Sequence, residues 1–158
     1  MIDAQSLPEF CAELQRLAAV IEARAEVLPS CGGPDVGGLR ISLSERAAYV
    51  LTYSEKDMTD QLVESADPDV VMEEVFVRVT ERMASEQVSD EASPASVEDF
   101  QAMANLPVAE IRERALVLHR EVSRIQEAML GLLSTTWAQR QAARNADRTK
   151  QIEGFFAL

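Results

Sequence analysis

From Val108 to Leu132 the apolar residues recur at alternating steps of three and four: Val108, Ile111, Ala115, Leu118, Val122, Ile125, Met129 and Leu132. Steps of this kind return to one face of an α-helix every seven residues, so the segment predicts a long helix with a heptad seam. Pro107 suits its opening, because a proline at a helix start gives up no hydrogen bond, and the pattern runs to about Leu133. The seam must be covered. The first helix of the same chain could do it, making a monomer, or the same helix of a second copy, making a homodimer.

The chain has 158 residues. A domain of roughly 150 residues hides about two-thirds of its unfolded surface, so 1–158 is expected to be a single domain with a core of its own. Upstream of the long helix the periodicity changes twice. Ser6 and Glu9 have capping-box spacing around Pro8, and Phe10, Leu14, Leu17 and Ile21 then form one helical face. The pattern ends at Leu28-Pro29. Residues 30–38 contain four glycines, but the lysine of a phosphate-binding loop is absent and no helix follows, so they read as a plain turn. Leu39, Ile41 and Leu43 alternate with polar residues, the run from Ala48 to Tyr53 is rich in β-branched and aromatic side chains, and a weaker strand covers Met58 to Val63.

Asp67-Pro68 marks the start of a second helix running to about Gln87. Met72, Val75, Phe76, Val79 and Met83 are its expected buried face, and Asp69, Glu73, Glu81 and Glu86 its outward one. Residues 88–97 read as a loop, with a short helical piece around Asp99 to Ala104. Ser134 caps a final helix bearing Trp137 in its first turn, and Ile152, Phe155 and Phe156 could fold back onto the body. The expected class is α+β: an N-terminal helix, a small three-stranded antiparallel meander, then a helical second half with one long heptad-patterned helix.

Acidic residues outnumber basic ones 27 to 15, for a formal charge of -12. The excess lies in residues 1–100, with 21 acidic and 7 basic side chains; residues 101–158 hold 6 and 8. Such a chain repels phosphate backbones and anionic membranes, so neither nucleic acid nor membrane is an expected partner. The excess serves solubility or recognises a positively charged partner. No apolar stretch is long enough to cross a bilayer, and the N-terminus lacks a signal-peptide pattern. A cytoplasmic location follows as the expectation, with Cys11 and Cys31 reduced and Cys11 a small core residue.

Chemistry-bearing patterns are scarce. His119 is the only histidine and has no companion with metal-ligand spacing. Neither cysteine belongs to a Cys-x-x-Cys pattern, and no nucleophile elbow or His-Glu-x-x-His motif occurs. The expectation is a binding protein rather than an enzyme, with no catalytic residues, cofactor or metal. Tyr49 and Tyr53 share one face of a strand; they are either core residues or exposed anchors of an interface, where tyrosine is favoured. In the second case Glu55, Asp57 and Asp60 would form an acidic rim. On the second helix Glu73-Glu74 and Glu81 alternate in sign with Arg78 and Arg82, the pattern of a solvated face. Candidate partner contacts are therefore Tyr49, Tyr53, Glu55, Glu73 and Glu81.

The order of several short stretches resembles a family of bacterial polymorphic-toxin immunity proteins, immunity protein sixty-three. They are Ile41-Ser42, Tyr49 with Tyr53-Ser54-Glu55, Asp69, Val75-Phe76 with Val79-Thr80 and Met83-Ala84, then Gln126-Glu127 with Leu130, and Trp137-Ala138 with Arg140. The resemblance implies neutralisation of a cognate toxin by direct stoichiometric binding. The acid excess suggests a basic toxin domain, such as a nuclease. The alternative is a small acidic secretion chaperone or adaptor that binds an effector segment.

Overall fold

The structure is a computed structural model that describes residues 6–92, 101, 102 and 104–155. It is α+β, and the chain divides into two compact units, Met1–Val79 and Thr80–Leu158, with one helix passing from the first into the second. Among the described residues, no helix is long and apolar enough to cross a membrane.

The first unit begins with α1, Leu7–Val20. The Ser6 side chain accepts a hydrogen bond from the Glu9 amide at 3.3 Å, occupying one of the orphan donors of a helix start. Phe10, Leu14, Leu17, Ala18 and Ile21 are buried, as the spacing predicts. After a single 3-10 turn, Ala25–Val27, come β1 (Ser30–Cys31), β2 (Gly38–Leu43), β3 (Tyr49–Glu55) and β4 (Met58–Ser65). Strands β2, β3 and β4 form the expected antiparallel meander. The sheet is nevertheless four-stranded and mixed, because β1 adds to β2 in parallel, pairing Ser30 with Arg40 and Cys31 with Ile41.

Parallel neighbours normally need a crossover of a dozen residues or more. Here residues 32–37 suffice, because Gly32, Gly33 and Gly37 take positive φ of 67°, 70° and 82°. Side chains rarely adopt that region, whereas glycine does so without steric cost. The glycine run is therefore a reversal that doubles the chain back beside itself, more than the plain turn expected of it. The Gly32 amide donates to the Ile41 carbonyl at 2.8 Å and closes it.

The extra strand also corrects the reading of the cysteines as reduced. Cys31 lies on β1 beside α1, and Cys11 and Cys31 form a disulfide with Cα atoms 6.1 Å apart. Cys11 is only partly buried, so it serves as one half of a tether and not as core filling.

Helix α2, Pro68–Ala92, starts where Asp67 accepts from the Asp69 amide at 2.9 Å. Val71, Met72, Val75, Phe76 and Val79 are fully buried. The helix extends past the expected end at Gln87. Residues 88–92 are helical and not loop, and Val88 is buried. Residues 93–97, including Pro94, lie outside the described residues; of the short helix expected near 99–104, residues 101, 102 and 104 are helical.

In the second unit α2 is followed by α3, Val108–Leu133, and α4, Thr135–Phe155. The long helix has the predicted limits, but its buried face coincides with the seam only over Val122, Ile125 and Met129. Ile125 is buried among Ala84 and Val88 of α2, with Val122 and Met129 packed around them. Other seam residues are exposed: Val108 by 59%, Leu118 by 46% and Leu132 by 66%. Leu116, Ser123, Gln126 and Leu130, which lie off the seam, are buried as well. The helix has two neighbours within its unit, so burial spreads over a wider arc than one seam can express.

Between α3 and α4 the packing is partly polar. Asn145 is buried; its Nδ2 donates to Glu127 Oε1 at 2.8 Å, and its Oδ1 accepts from Gln141 Nε2 at 2.9 Å. Its carbonyl accepts from Thr149 Oγ1 at 3.0 Å and lies 3.1 Å from His119 Nε2. The lone histidine is thus an interhelical contact. Ser134 Oγ accepts from the Trp137 amide at 3.3 Å, the expected cap, and Trp137 is buried. Of the residues expected to fold back, Ile152 is half-buried and Phe155 is 74% exposed; Phe156 lies outside the described residues.

Two stability measurements follow. Asn145→Ala strands Glu127 and Gln141 in a partly buried seam and should cost about 2 kcal/mol in chemical denaturation. Replacing both Cys11 and Cys31 by serine frees a loop with a sequence separation of 20 in the unfolded chain and should cost about 3 kcal/mol relative to the oxidised protein. An unchanged denaturation midpoint in either case would contradict the stabilising role assigned here.

Candidate functional site

Alternation places Tyr49, Leu51, Tyr53 and Glu55 on one face of β3. That face passes from core to solvent along the strand. Tyr49 is 4% exposed and stacks on Phe10 of α1, with ring centroids 4.7 Å apart and 26° between planes. Burial, with the charge of Glu9 adding to it, pushes its phenol above the ordinary range. Tyr49 is therefore a core residue, and its candidacy as a surface contact is corrected. Tyr53, four residues on, is 40% exposed.

Between the two tyrosines the pairing with β4 slips. Leu51 faces Val63 and Thr52 faces Gln61, so Leu62 is an extra residue on β4. Such a bulge bends its strand and sharpens the local twist. Beyond it Tyr53 pairs with Asp60 and Glu55 with Met58, and these four side chains share a face. Tyr53 Oη donates to Glu55 Oε2 at 3.5 Å, a long contact at an exposed position. The turn is Lys56-Asp57, with Lys56 at φ 55°, a conformation in which glycine or asparagine is more usual. Tyr53, Glu55, Lys56, Asp57, Met58 and Asp60 line an open groove of about 470 Å³. The expected rim of Glu55, Asp57 and Asp60 around Tyr53 is thus brought together. Met58, 70% exposed, supplies a second apolar element that the alternation alone did not single out.

The opposite face of the hairpin is braced. Ser54 is buried, and its hydroxyl donates to Asp35 Oδ2 at 2.9 Å. Ser54 and Thr59 hydroxyls lie 2.9 Å apart. With the serine proton committed to Asp35, the threonine is the donor. Asp35 Oδ1 accepts from the Gly37 amide at 2.9 Å. That amide first, and the Ser54 hydroxyl second, hold the Asp35 carboxyl below its ordinary range. The glycine reversal therefore reaches across to the base of the hairpin. The Asp35-x-Gly37 spacing is a local turn signal legible in sequence; its partner Ser54, 19 residues away, is not.

The remaining candidates lie elsewhere. Glu73 is only 5% exposed, so the outward reading of this residue is corrected. Phe76 and Thr80, three and seven residues on, share its face and are fully buried, whereas Glu74 and Arg78 pair at 2.9 Å on the more open side. Glu81 belongs to the second unit. Its side chain is 51% exposed and lies 3.8 Å from Arg148 of α4. Among the described residues, no group of three or more His, Cys, Asp or Glu side chains could hold a metal ion. The hairpin groove thus offers an aromatic ring, a flexible thioether and converging carboxylates. Such a set suits contact with a cationic protein surface.

The Asp35 brace predicts an acid-side dependence of stability. A carboxyl whose pKa is lowered by folding contributes stability that is present above its unfolded value, near 3.8, and is lost as pH falls through the folded value. Denaturation midpoints measured from pH 6 down to pH 2 should fall less steeply in Asp35→Asn than in the parent; identical slopes would remove the brace from the account.

No family model, curated protein or solved structure matches this chain.

Proposed function

We propose that this protein is an immunity protein that neutralises a cognate bacterial toxin by stoichiometric binding, with the β3–β4 hairpin as its contact surface. One observation carries the reading: exposed Tyr53 and Met58 lie within a groove whose other lining residues include Glu55, Asp57 and Asp60. Interfaces draw most of their energy from a few aromatic or similarly large anchors, and the charges around them speed and orient encounter. An acidic rim selects a basic partner, such as a nuclease-type domain. The net charge of -12 acts in the same direction at longer range. The resemblance to immunity protein sixty-three supports the class of function and leaves the toxin unnamed. The activity proposed is binding, without catalysis or cofactor.

Cytoplasmic residence goes with this reading, and the Cys11–Cys31 bond gives it a sharp test. Disulfides persist in oxidising compartments and are rare in the cytoplasm. Rapid alkylation of the protein taken directly from cells should find two free thiols if it works in the cytoplasm, and none if it works outside.

The functional test is co-expression with the product of the adjacent reading frame. Growth should be restored and a one-to-one complex recovered. Tyr53→Ala should weaken that complex by about thirtyfold, the scale of a single anchor residue. Tyr49→Phe, an internal control in the core, should leave affinity unchanged. Rescue that persists with full affinity in Tyr53→Ala would move the interface away from the hairpin, and a harmless neighbour that does not bind would remove the immunity reading.

A further inference from the structure

The two edges of the sheet are unequal. On one side lies β1, two residues long, with the glycine reversal beside it and the disulfide behind it. On the other lies β4, eight residues long, and among the described residues no strand pairs with its outer edge. Residues 58–61 are all exposed. Along an edge strand alternate residues turn their N–H and C=O groups outward, which makes a template for another extended chain.

Proteins commonly blunt such edges with lysine, proline or a bulge. Residues 58–65, Met-Thr-Asp-Gln-Leu-Val-Glu-Ser, contain no lysine, arginine or proline. The bulge at Leu62 interrupts the inner half, leaving Met58 to Gln61 as a regular stretch beside the groove. The charges present are Asp60 and Glu64, with Glu55 and Asp57 at the turn and Lys56 as the single cation. They decide which occupant fits. A second copy of β4 would set carboxylates against carboxylates, and like charges opposite one another destabilise a strand pair. Asp60 shares the face of Tyr53 and Met58, whereas Glu64, opposite Val50, lies on the other face. A strand carrying lysine or arginine among apolar residues on both of its faces would meet Asp60 on one side and Glu64 on the other, and would lay apolar residues on Tyr53 and Met58.

We infer that β4 accepts an extended, basic segment of the partner protein as a fifth strand, paired by backbone hydrogen bonds and selected by Asp60 and Glu64. The inference rests on the proposed toxin-binding role of the hairpin and specifies how the partner engages it. In strand addition the backbone supplies much of the affinity, and side chains on alternate positions supply the choice of partner.

The test uses the full chain and a ten-residue peptide of the repeat Lys-Lys-Val-Val, which sets lysine and valine on both faces of the strand. A second peptide of the same sequence is N-methylated along one edge, so it keeps every charge and loses those backbone donors. The first peptide should bind one-to-one, and the resulting amide shifts and slowed hydrogen exchange should centre on Met58 to Val63. The methylated peptide should bind at least about tenfold more weakly, as should the first peptide to Asp60→Lys with Glu64→Lys, a loss near 1.4 kcal/mol. Equal binding of the two peptides would overturn strand addition while leaving an acidic contact surface in place. Absence of binding, or protection away from β4, would also overturn it. So would protection of β4 by self-association without peptide, which would make a second copy the occupant. Failure of growth rescue with intact peptide binding would strike the immunity reading alone.

Discussion

Phe10 stacked on Tyr49 is the contact around which the first unit is organised. An aromatic pair of this kind contributes about 0.5–1.5 kcal/mol beyond the area it buries. Its greater consequence is positional. It seats α1 over one end of β3, so that Leu14, Leu17, Leu51 and the sheet's other apolar residues close into a core. The disulfide from Cys11, one residue along the helix, ties the same helix to β1. With that end of β3 buried, Tyr53 at the other end remains exposed. Two tyrosines that look equivalent in sequence thus acquire opposite roles.

The hairpin depends on this arrangement indirectly. It projects beyond the Leu62 bulge and is braced from behind by Asp35, which the glycine reversal delivers to Ser54. The brace is polar and partly buried, so it restrains the hairpin without enclosing it. A surface held this way is suited to recognition, because little ordering remains to be done when a partner arrives. The exposed side chains, the acidic rim and the open edge of β4 then belong to one surface, and the proposed strand addition uses all three.

The second unit is built on a different balance. Apolar burial around Ala84, Val88 and Ile125 joins α2 to α3, while Asn145, Gln141, Glu127 and His119 join α3 to α4 through hydrogen bonds. A satisfied polar network tolerates few alternatives, since each missing partner leaves a desolvated group. Gln141 and Asn145 are spaced by one helical turn on a helix that looks mainly polar in sequence. Their burial explains how so polar a helix can still pack against a neighbour.

Local pattern was enough to locate the start of α1, both ends of α3, the caps at Ser6, Asp67 and Ser134, and the three antiparallel strands, whereas α1 stops at Val20, short of the Leu28-Pro29 end expected of it. Each of these rests on interactions within a few residues, or on a periodicity that any core would impose. The acidic rim near Tyr53 was legible for the same reason, because a short hairpin brings residues 53–60 together by itself. What lay beyond the sequence was every feature requiring two distant segments. These include the parallel strand β1 and the disulfide it allows, the Asp35–Ser54 brace, the burial of Glu73, and the arc of α3 that faces its neighbours. Charge alternation and heptad spacing describe a helix surface but not how many sides of it are covered. Only tertiary packing decides that, because burial is set by what else arrives in space.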